Sequence, residues 1–360
     1  MTNRSLPRRA SARMLPLALG AIVAILAVFP AHAADRPGSA AAAAAPAPAV
    51  DASASANVDA QKLFGAIVKV SARSVPDART ADSLGKEREG SGVVIGNDGL
   101  VLTIGYLIVE ADDVKITDSK GRVLPARVVG YDHASGFGLV RALVPLDATP
   151  VPFGDSAKTT EREPVLIASA GGDGTAFAWI VSKRPFTGNW EYKLDYALFT
   201  SPPTSNWSGA ALIDRDGKLL GIGSLIVREA TEGDTKLPGN LFVPIDLLKP
   251  ILGDLVARGR RAGPARPWLG VAADELQGHL FVTRVSPDGP ADRAGVTVGD
   301  IILGVGSDAV RTQAEFYDRV WAERRAGDDV PLKVLHGVDV KDIKVRSIDR
   351  VEYFRPQSTI

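Results

Sequence analysis

Residues 205–223 read S-N-W-S-G-A-A-L-I-D-R-D-G-K-L-L-G-I-G. Small residues around Ser208 lead into a short apolar run, a D-R-D-G turn follows, and a second apolar run interleaved with glycine comes next. Two short apolar runs separated by a turn signal predict a β-hairpin. This stretch therefore indicates antiparallel β-structure with a serine at its entrance.

The chain on both sides of this stretch also has the pattern of short β-strands. Short apolar or alternating segments recur at intervals of about 8–12 residues, with turn signals such as Asn97-Asp98-Gly99 between them. This spacing predicts an antiparallel barrel or sandwich. A short helix is predicted over 246–258 in spite of Pro250. The Arg-, Gly- and Pro-rich stretch 259–267 predicts a linker to a second, smaller unit with one helix near 313–322.

The first 33 residues have the pattern of an export signal. Four arginines and no acidic residue accompany an apolar stretch over 14–29, and Ala31-His32-Ala33 offers a small-residue cleavage site. The apolar stretch is shorter than the ~20 residues that span a bilayer, so a cleaved signal peptide is favoured over a membrane anchor. Residues 34–58, rich in Ala and Pro, predict a disordered tether.

The composition of the 360-residue chain excludes several classes of function. It has no cysteine, which excludes a disulfide scaffold, a thiolate zinc site and a cysteine nucleophile. Lys+Arg and Asp+Glu both number 42, so no basic surplus is available to hold nucleic acid. The sequence also contains no H-x-x-x-H pair and no phosphate loop, and we expect neither a metal nor a cofactor.

Ser208 is the candidate nucleophile. Its small neighbours would let backbone N–H groups point at a developing oxyanion, as in β-barrel hydrolases. Taken alone, however, the stretch S-G-A-A is more typical of a structural turn. A serine hydroxyl also needs a base of near-neutral pKa to take its proton.

Residues 90–258 resemble the protease domain of the HtrA-type periplasmic serine proteases, a branch of the trypsin-like fold. The resemblance rests on the order and spacing of four segments: 90–95 (G-S-G-V-V-I), 151–156 (V-P-F-G-D-S), 163–168 (E-P-V-L-I-A) and 242–245 (F-V-P-I). It implies a mostly β chain with a trypsin-like double six-stranded β-barrel over 59–258.

The family's catalytic triad is incomplete in this sequence. Residues 102–108 read L-T-I-G-Y-L-I, and the family's histidine falls on Tyr106. Residues 132–139 read D-H-A-S-G-F-G-L, and its aspartate falls on Gly136, whereas its serine falls on Ser208. Tyrosine has an ordinary pKa of about 10 and is protonated at neutral pH. The resemblance therefore implies a catalytically inactive protease homologue.

A substitute base is the alternative. His133 is the only histidine of the barrel, since His279 and His336 lie in the second unit. It would have to turn towards Ser208 from the loop that normally supplies the aspartate. A lysine base, Lys183 or Lys193, is the other route. Because the members of a triad act as a unit, we expect loss of the base to remove most of the rate.

The oxyanion loop also departs from the family pattern G-N-S-G-G-P. It reads Asn206-Trp207-Ser208-Gly209, so Asn206 replaces a glycine whose N–H lines the oxyanion hole in the family. Trp207 adds bulk where a substrate would pass, and we expect it to fill the emptied cleft.

The second unit resembles the PDZ domains that follow HtrA-type protease domains. Trp268-Leu269-Gly270-Val271 resembles the carboxylate-binding loop, and 299–302 (G-D-I-I) resembles the family's G-D-x-I strand. The resemblance implies a PDZ domain over 268–348, of the β-sandwich or partial-barrel type with two helices, followed by a tail over 349–360. Such domains add an extended peptide to a sheet edge and hold its terminal carboxylate in backbone N–H groups. The pairs Phe316/Val320 and Tyr317/Trp321 each share a helix face, and the sequence leaves open which pair lines the groove.

The leading interpretation is an exported HtrA-like protein of the bacterial envelope. It would bind peptides, protein C-termini or unfolded envelope proteins in the periplasm, in protein quality control or regulation. One alternative is an active serine endopeptidase that uses Ser208 with His133 or a lysine, and a second is a structural envelope protein. The resemblance implies a homotrimer, and membrane attachment is expected only if the signal segment is uncleaved.

Overall fold

The computed structural model describes residues 59–171 and 174–356. The predicted signal peptide over 1–33 and the predicted tether over 34–58 lie outside the described residues. Helix α1 (Ala60–Gly65) begins at Asp59, whose side chain accepts a hydrogen bond from the amide of Lys62 and so caps the helix.

The first barrel consists of six short antiparallel strands. They are β1 (Ile67–Ser74), β2 (Glu87–Val94), β3 (Leu100–Ile104), β4 (Ala111–Thr117), β5 (Val123–Tyr131) and β6 (Phe137–Ala142). The sheet closes in the order β1-β2-β3-β6-β5-β4, and helix α2 (Ala81–Leu84) lies between β1 and β2. Alternate side chains, including Val70, Ile116 and Phe137, are fully buried inside the barrel. Closure gives each of these strands a neighbour on both edges.

The second barrel repeats this architecture. Its strands are β7 (Pro164–Ala168), β8 (Thr175–Gly188), β9 (Tyr192–Ser201), β10 (Ala211–Ile213), β11 (Leu219–Val227) and β12 (Gly239–Pro244). They close in the order β10-β11-β12-β9-β8-β7. The hairpin predicted from 205–223 is β10 and β11. The Asp214 carboxylate accepts the amides of Asp216 and Lys218 and so fixes the turn.

The helix predicted over 246–258 is wrong in its extent. A 3₁₀ turn covers Ile245–Leu247, and helix α3 covers only Leu252–Arg258. Pro250 has no N–H to donate and disfavours helical backbone in the residue before it, so the α-helix begins after it. Gly259 then ends α3 in the left-handed conformation (φ 74°).

The second unit is a single sheet with short helices. Its elements are β13 (Val271–Leu276), β14 (His279–Val285), α4 (Pro290–Arg293), β15 (Ile301–Val305), β16 (Asp308–Ala309), α5 (Gln313–Trp321), β17 (Asp329–His336), β18 (Asp339–Arg346) and α6 (Arg350–Tyr353). The sheet order is β13-β14-β15-β17-β18, with β16 paired to β15, so β13 is an edge strand. Phe316 and Val320 of α5 are buried in the core beneath the sheet. The chain is mostly β, as the sequence predicts.

Candidate active site and peptide-binding groove

Ser208 lies in the loop between β9 and β10. Its carbonyl accepts the amide of Ser91 on β2 at 2.8 Å, and the amide of Gly209 donates to Gly223 on β11 at 2.9 Å. These bonds tie the serine loop to strands of both barrels. Gly209 has φ 71°, and a Cβ there would lie 2.0 Å from the carbonyl oxygen of Ser91. Only glycine fits this position without a backbone shift.

Tyr106 lies directly against Ser208. It sits in a 3₁₀ turn, Gly105–Leu107, that follows β3. Its hydroxyl oxygen is 2.9 Å from Ser208 Oγ and 2.9 Å from the carbonyl oxygen of Ser224. Burial raises the pKa of Tyr106 to about 12, although its hydrogen bond to Ser208 opposes that shift. The Tyr106 hydroxyl therefore keeps its proton at neutral pH.

Gly136, on which the family's aspartate is predicted to fall, lies against another tyrosine. Gly136 has φ 82°, and a Cβ built on it would lie 3.1 Å from the hydroxyl oxygen of Tyr192. The Tyr192 hydroxyl donates to the carbonyl of Ser135 at 2.6 Å. A phenol therefore lies where a carboxylate would orient the base, and it is neutral because burial raises its pKa well above the ordinary value.

His133 makes no hydrogen bond to Ser208. Its ring lies edge-on to Tyr131 at 4.2 Å between centroids and stacks on Phe354 at 5.3 Å. Both ring nitrogens are buried and have no hydrogen-bond partner among residues 59–171 and 174–356. Burial, with the positive charge of Arg350, lowers the pKa of His133 well below its usual value. The ring is thus neutral and packed among aromatic side chains.

The two lysines have other partners. The ammonium of Lys183 donates to the carbonyl of Ala157 and lies 4.9 Å from the centre of the Tyr196 ring. The ammonium of Lys193 contacts both carboxylate oxygens of Asp318, at 2.5 and 2.7 Å.

The oxyanion loop is only partly arranged for catalysis. The amide of Asn206, at the position of the family's oxyanion-hole glycine, donates to Thr204 Oγ1 at 3.3 Å. Thr204 is in turn held by both polar atoms of the Asn240 side chain. An oxyanion hole needs amides that aim together at the reacting oxygen. Here the amide of Asn206 already has an acceptor within its own loop.

A cleft of about 610 Å³ remains beside Ser208, and Tyr106, His133 and Leu225 line it as well. Trp207 is half-buried in the wall of this cleft and does not fill it. Among the residues that the structure describes, no group of three or more His, Cys, Asp or Glu side chains could hold a metal ion.

The predicted carboxylate-binding loop already holds a carboxylate. Leu269 N donates to Glu191 Oε2 at 3.0 Å, while Gly270 N and Val271 N donate to Glu191 Oε1 at 2.6 and 3.0 Å. Gly270 has φ 80°, which turns these amides towards one point. Trp268, the first residue of the loop, packs against the ring of Tyr353 at 4.6 Å. Sequence reasoning missed Glu191, which lies at the tip of the β8–β9 hairpin.

Three of the four paired residues of helix α5, namely Phe316, Tyr317 and Val320, are buried in one core, and Trp321 packs against it. Phe316 and Val320 face the core of the sheet. Tyr317 turns towards the β8–β9 hairpin, where its hydroxyl donates to the carbonyl of Gly188, and Trp321 Nε1 donates to the carbonyl of Pro267. Tyr317 therefore contacts both the core and the hairpin, whereas Trp321 contacts the linker.

Two closed barrels with a serine loop between them, followed by a sheet with a carboxylate-holding loop, define a trypsin-like peptidase fold with a PDZ domain. Family comparison agrees, because the trypsin-like peptidase domain family matches residues 90–222 and the PDZ domain family matches residues 267–346. The chain thus combines a trypsin-like peptidase domain with a PDZ domain, and relatives found for it are named DegS, DegP-like and HtrA serine proteases. The predicted fold class, a trypsin-like double barrel followed by a PDZ domain, is confirmed.

Within that class the chain is similar to several named proteins. It is 26% identical over 300 residues to the serine endoprotease DegS of Escherichia coli strain K12, covering 78% of this chain and 81% of DegS. It is 28% identical over 265 residues to the serine protease PepD of Mycobacterium tuberculosis, covering 67% of this chain and 57% of PepD. A solved HtrA-type protease, an AlgW variant with a tripeptide, has the same fold at a TM-score of 0.50 and 19% identity, covering 83% of this chain and 96% of that one.

A further relative, from Pseudomonas fulva, is named a probable periplasmic serine endoprotease DegP-like, and it is 27% identical over 292 residues, 76% of this chain and 59% of the relative. In the described part of the chain, none of the helices is long and apolar enough to cross a membrane.

Proposed function

We propose that this HtrA-type protein does not hydrolyse peptide bonds and acts by binding peptides or protein C-termini through its PDZ domain. The observation that carries the first half is the contact between Tyr106 and Ser208. A protonated phenol occupies the place of the general base, and the residue that would orient that base is a glycine.

Three further observations support the loss of catalysis. His133 has no hydrogen bond to Ser208, and its ring packs against Tyr131 and Phe354. Lys193 is paired with Asp318, and Lys183 with a carbonyl. The amide of Asn206 has an acceptor within the loop. In the described structure none of the three candidate bases, His133, Lys183 and Lys193, forms a hydrogen bond to the serine.

The binding half of the proposal rests on the PDZ loop. Three consecutive amides, those of Leu269, Gly270 and Val271, converge on one carboxylate, which is the arrangement that a peptide C-terminus requires. The AlgW variant with the same fold was solved with a tripeptide. A role in protein quality control or regulation in the periplasm fits the export pattern of the first 33 residues and the name of the DegP-like relative. The family resemblance also favours a homotrimer, which sedimentation of the purified protein would test.

The experiment is hydrolysis of unfolded casein by the purified protein beside its Ser208→Ala and His133→Ala variants. We expect all three proteins to give the same background rate. Cleavage by the wild type that both variants lose would establish the alternative, a serine endopeptidase whose base is His133. Cleavage lost in Ser208→Ala alone would point to a lysine base.

A further inference from the structure

The carboxylate of Glu191 fills the PDZ loop as the end of a peptide would. Its two oxygens accept the three loop amides at 2.6 to 3.0 Å. Glu191 has φ 57°, a conformation that is uncommon outside glycine, and is only 8% exposed. Each amide has a single proton, so a peptide carboxylate and Glu191 cannot occupy the loop together.

The backbone of Glu191 and of Gly188 is held by Tyr317 of helix α5. The Tyr317 hydroxyl accepts the amide of Glu191 at 3.0 Å and donates to the carbonyl of Gly188 at 2.9 Å. A single buried phenol thereby fixes the whole tip of the β8–β9 hairpin against the helix. Both of these hydrogen bonds would be lost if the tip moved away.

The same tip contacts both walls of the groove. Asn189 Nδ2 donates to Asp274 Oδ1 on the edge strand β13 at 2.7 Å. Lys193 forms an ion pair with Asp318 on helix α5. A peptide that adds to an edge strand lies between that strand and the helix. The hairpin tip, residues 188–193, therefore covers the space that such a peptide would take.

The segment after the sheet holds the tip from the other side. Arg350 of helix α6 donates to the carbonyl of Trp190 at 3.2 Å. Its neighbour Tyr353 packs on Trp268 of the loop and donates to the carbonyl of Pro287. The groove is thus closed by two parts of the chain that are distant in sequence.

We propose that Glu191 is an internal ligand of the PDZ domain, and that the hairpin tip must leave the groove before a peptide with a free C-terminal carboxylate can bind. This inference rests on the proposed peptide-binding function. The apparent affinity for such a peptide is the intrinsic affinity multiplied by the open fraction of the molecules. A tip that is closed in ten molecules out of eleven weakens binding about tenfold.

The test uses the full chain with two readouts. The first is hydrogen exchange of the amides of 269–271, compared between the wild type, Glu191→Ala and the control Glu161→Ala, which removes an exposed glutamate of the same barrel. The second is binding of a fluorescein-labelled pool of random decapeptides that end in Val, Leu, Ile or Phe, with the C-terminally amidated pool as reference. Tyr317→Phe is a milder variant that keeps the ring and removes the hydroxyl.

In Glu191→Ala we expect the loop amides to exchange at least tenfold faster than in the wild type or Glu161→Ala. We also expect this variant to bind the free-carboxylate pool at least tenfold more tightly than either protein. Tyr317→Phe should change both quantities in the same direction by a smaller factor. Unchanged exchange in a folded Glu191→Ala protein, or measurable pool binding that is equal for it and the wild type, would overturn the inference. Faster exchange without binding of the free-carboxylate pool by any variant would instead overturn the proposed peptide-binding function and leave Glu191 as the occupant of the loop.

Discussion

The hydroxyl oxygen of Tyr106 lies 2.9 Å from Oγ of Ser208, at the position where a general base would accept the serine proton. Both groups are hydroxyls whose protons remain bound at neutral pH, because burial raises the pKa of Tyr106 to about 12. The contact is thus a hydrogen bond between two neutral groups. Under the proposed function, it holds the serine in place without activating it.

The pH dependence of Ser208 reactivity follows from this contact. A phenolate forms only near pH 12, and the lowered pKa of His133 keeps its ring neutral and unchanging above pH 6.5. We expect the rate of Ser208 modification by a fluorophosphonate to show no inflection between pH 6.5 and pH 9. Intact-mass measurements at half-unit steps would check this. An inflection near pH 7 would contradict this expectation, because it would reveal an imidazole that acts as the base for Ser208.

The serine loop should be intolerant of a single methyl group at Gly209. A Cβ at this position would lie 2.0 Å from the carbonyl oxygen of Ser91 and 2.7 Å from Thr103 Oγ1. We expect Gly209→Ala to lower the free energy of unfolding by at least ~3 kcal/mol, because backbone must move in addition to the cost of a positive φ.

Gly121 provides the matched control, since it has a similar φ of 78° and a methyl group there would meet nothing within 4 Å. Gly121→Ala should cost only about 1 kcal/mol. Urea unfolding of the three proteins measures both values. Equal losses of unfolding free energy in the two variants would mean that the close approach of the serine loop to Ser91 does not make Gly209 harder to substitute.

The carboxyl group of Glu191 should make stability depend on pH in an unusual direction. Burial raises its pKa, against the hydrogen bonds from the loop amides and the charge of Arg350. A carboxyl whose pKa is higher in the folded state stabilises fully below its unfolded pKa and loses that contribution as pH rises through the folded pKa. We expect the unfolding free energy of the wild type, relative to Glu191→Gln, to fall as pH increases from 4 towards 7.

The other charged groups near Glu191 should cancel in that comparison. Arg350, Lys193, Asp274 and Asp318 are present in both proteins, and Tyr317 stays neutral because burial raises its pKa. Chemical denaturation of both proteins at four pH values provides the measurement. A difference that grows with pH would show that the amides bind the carboxylate more strongly than burial opposes it.

Much of the fold could be predicted because its information is local. Turn residues such as Asp214 and Gly217 mark the β10–β11 hairpin, and the alternation of apolar residues marks the strands. The prediction of one helix over 246–258 was wrong in its extent, because Pro250 interrupts the helical pattern and the α-helix begins only at Leu252. The family resemblance places Tyr106 at the histidine position. In the structure the Tyr106 hydroxyl contacts Oγ of Ser208.

The contents of the PDZ loop could not be predicted in the same way. Glu191 is 78 to 80 residues from the amides that it accepts, and no pattern in the hairpin N-W-E-Y distinguishes it from an exposed turn residue. The packing of His133 between Tyr131 and Phe354 likewise depends on a segment 221 positions later in the chain. Contacts of this kind are set by tertiary packing and leave no periodic signal in the sequence.

Under the proposed function, Ser208 lacks a base because Tyr106 occupies its place. The fluorophosphonate labelling rate of the serine tests this claim most directly. The comparison is made at pH 7.5 between the wild type, Ser208→Ala, Tyr106→Phe and Tyr106→His. We expect the first three to share one background rate and Tyr106→His to be faster, by up to about 10²-fold, because an imidazole can accept the serine proton. Labelling of wild-type Ser208 well above the Ser208→Ala background would contradict the claim.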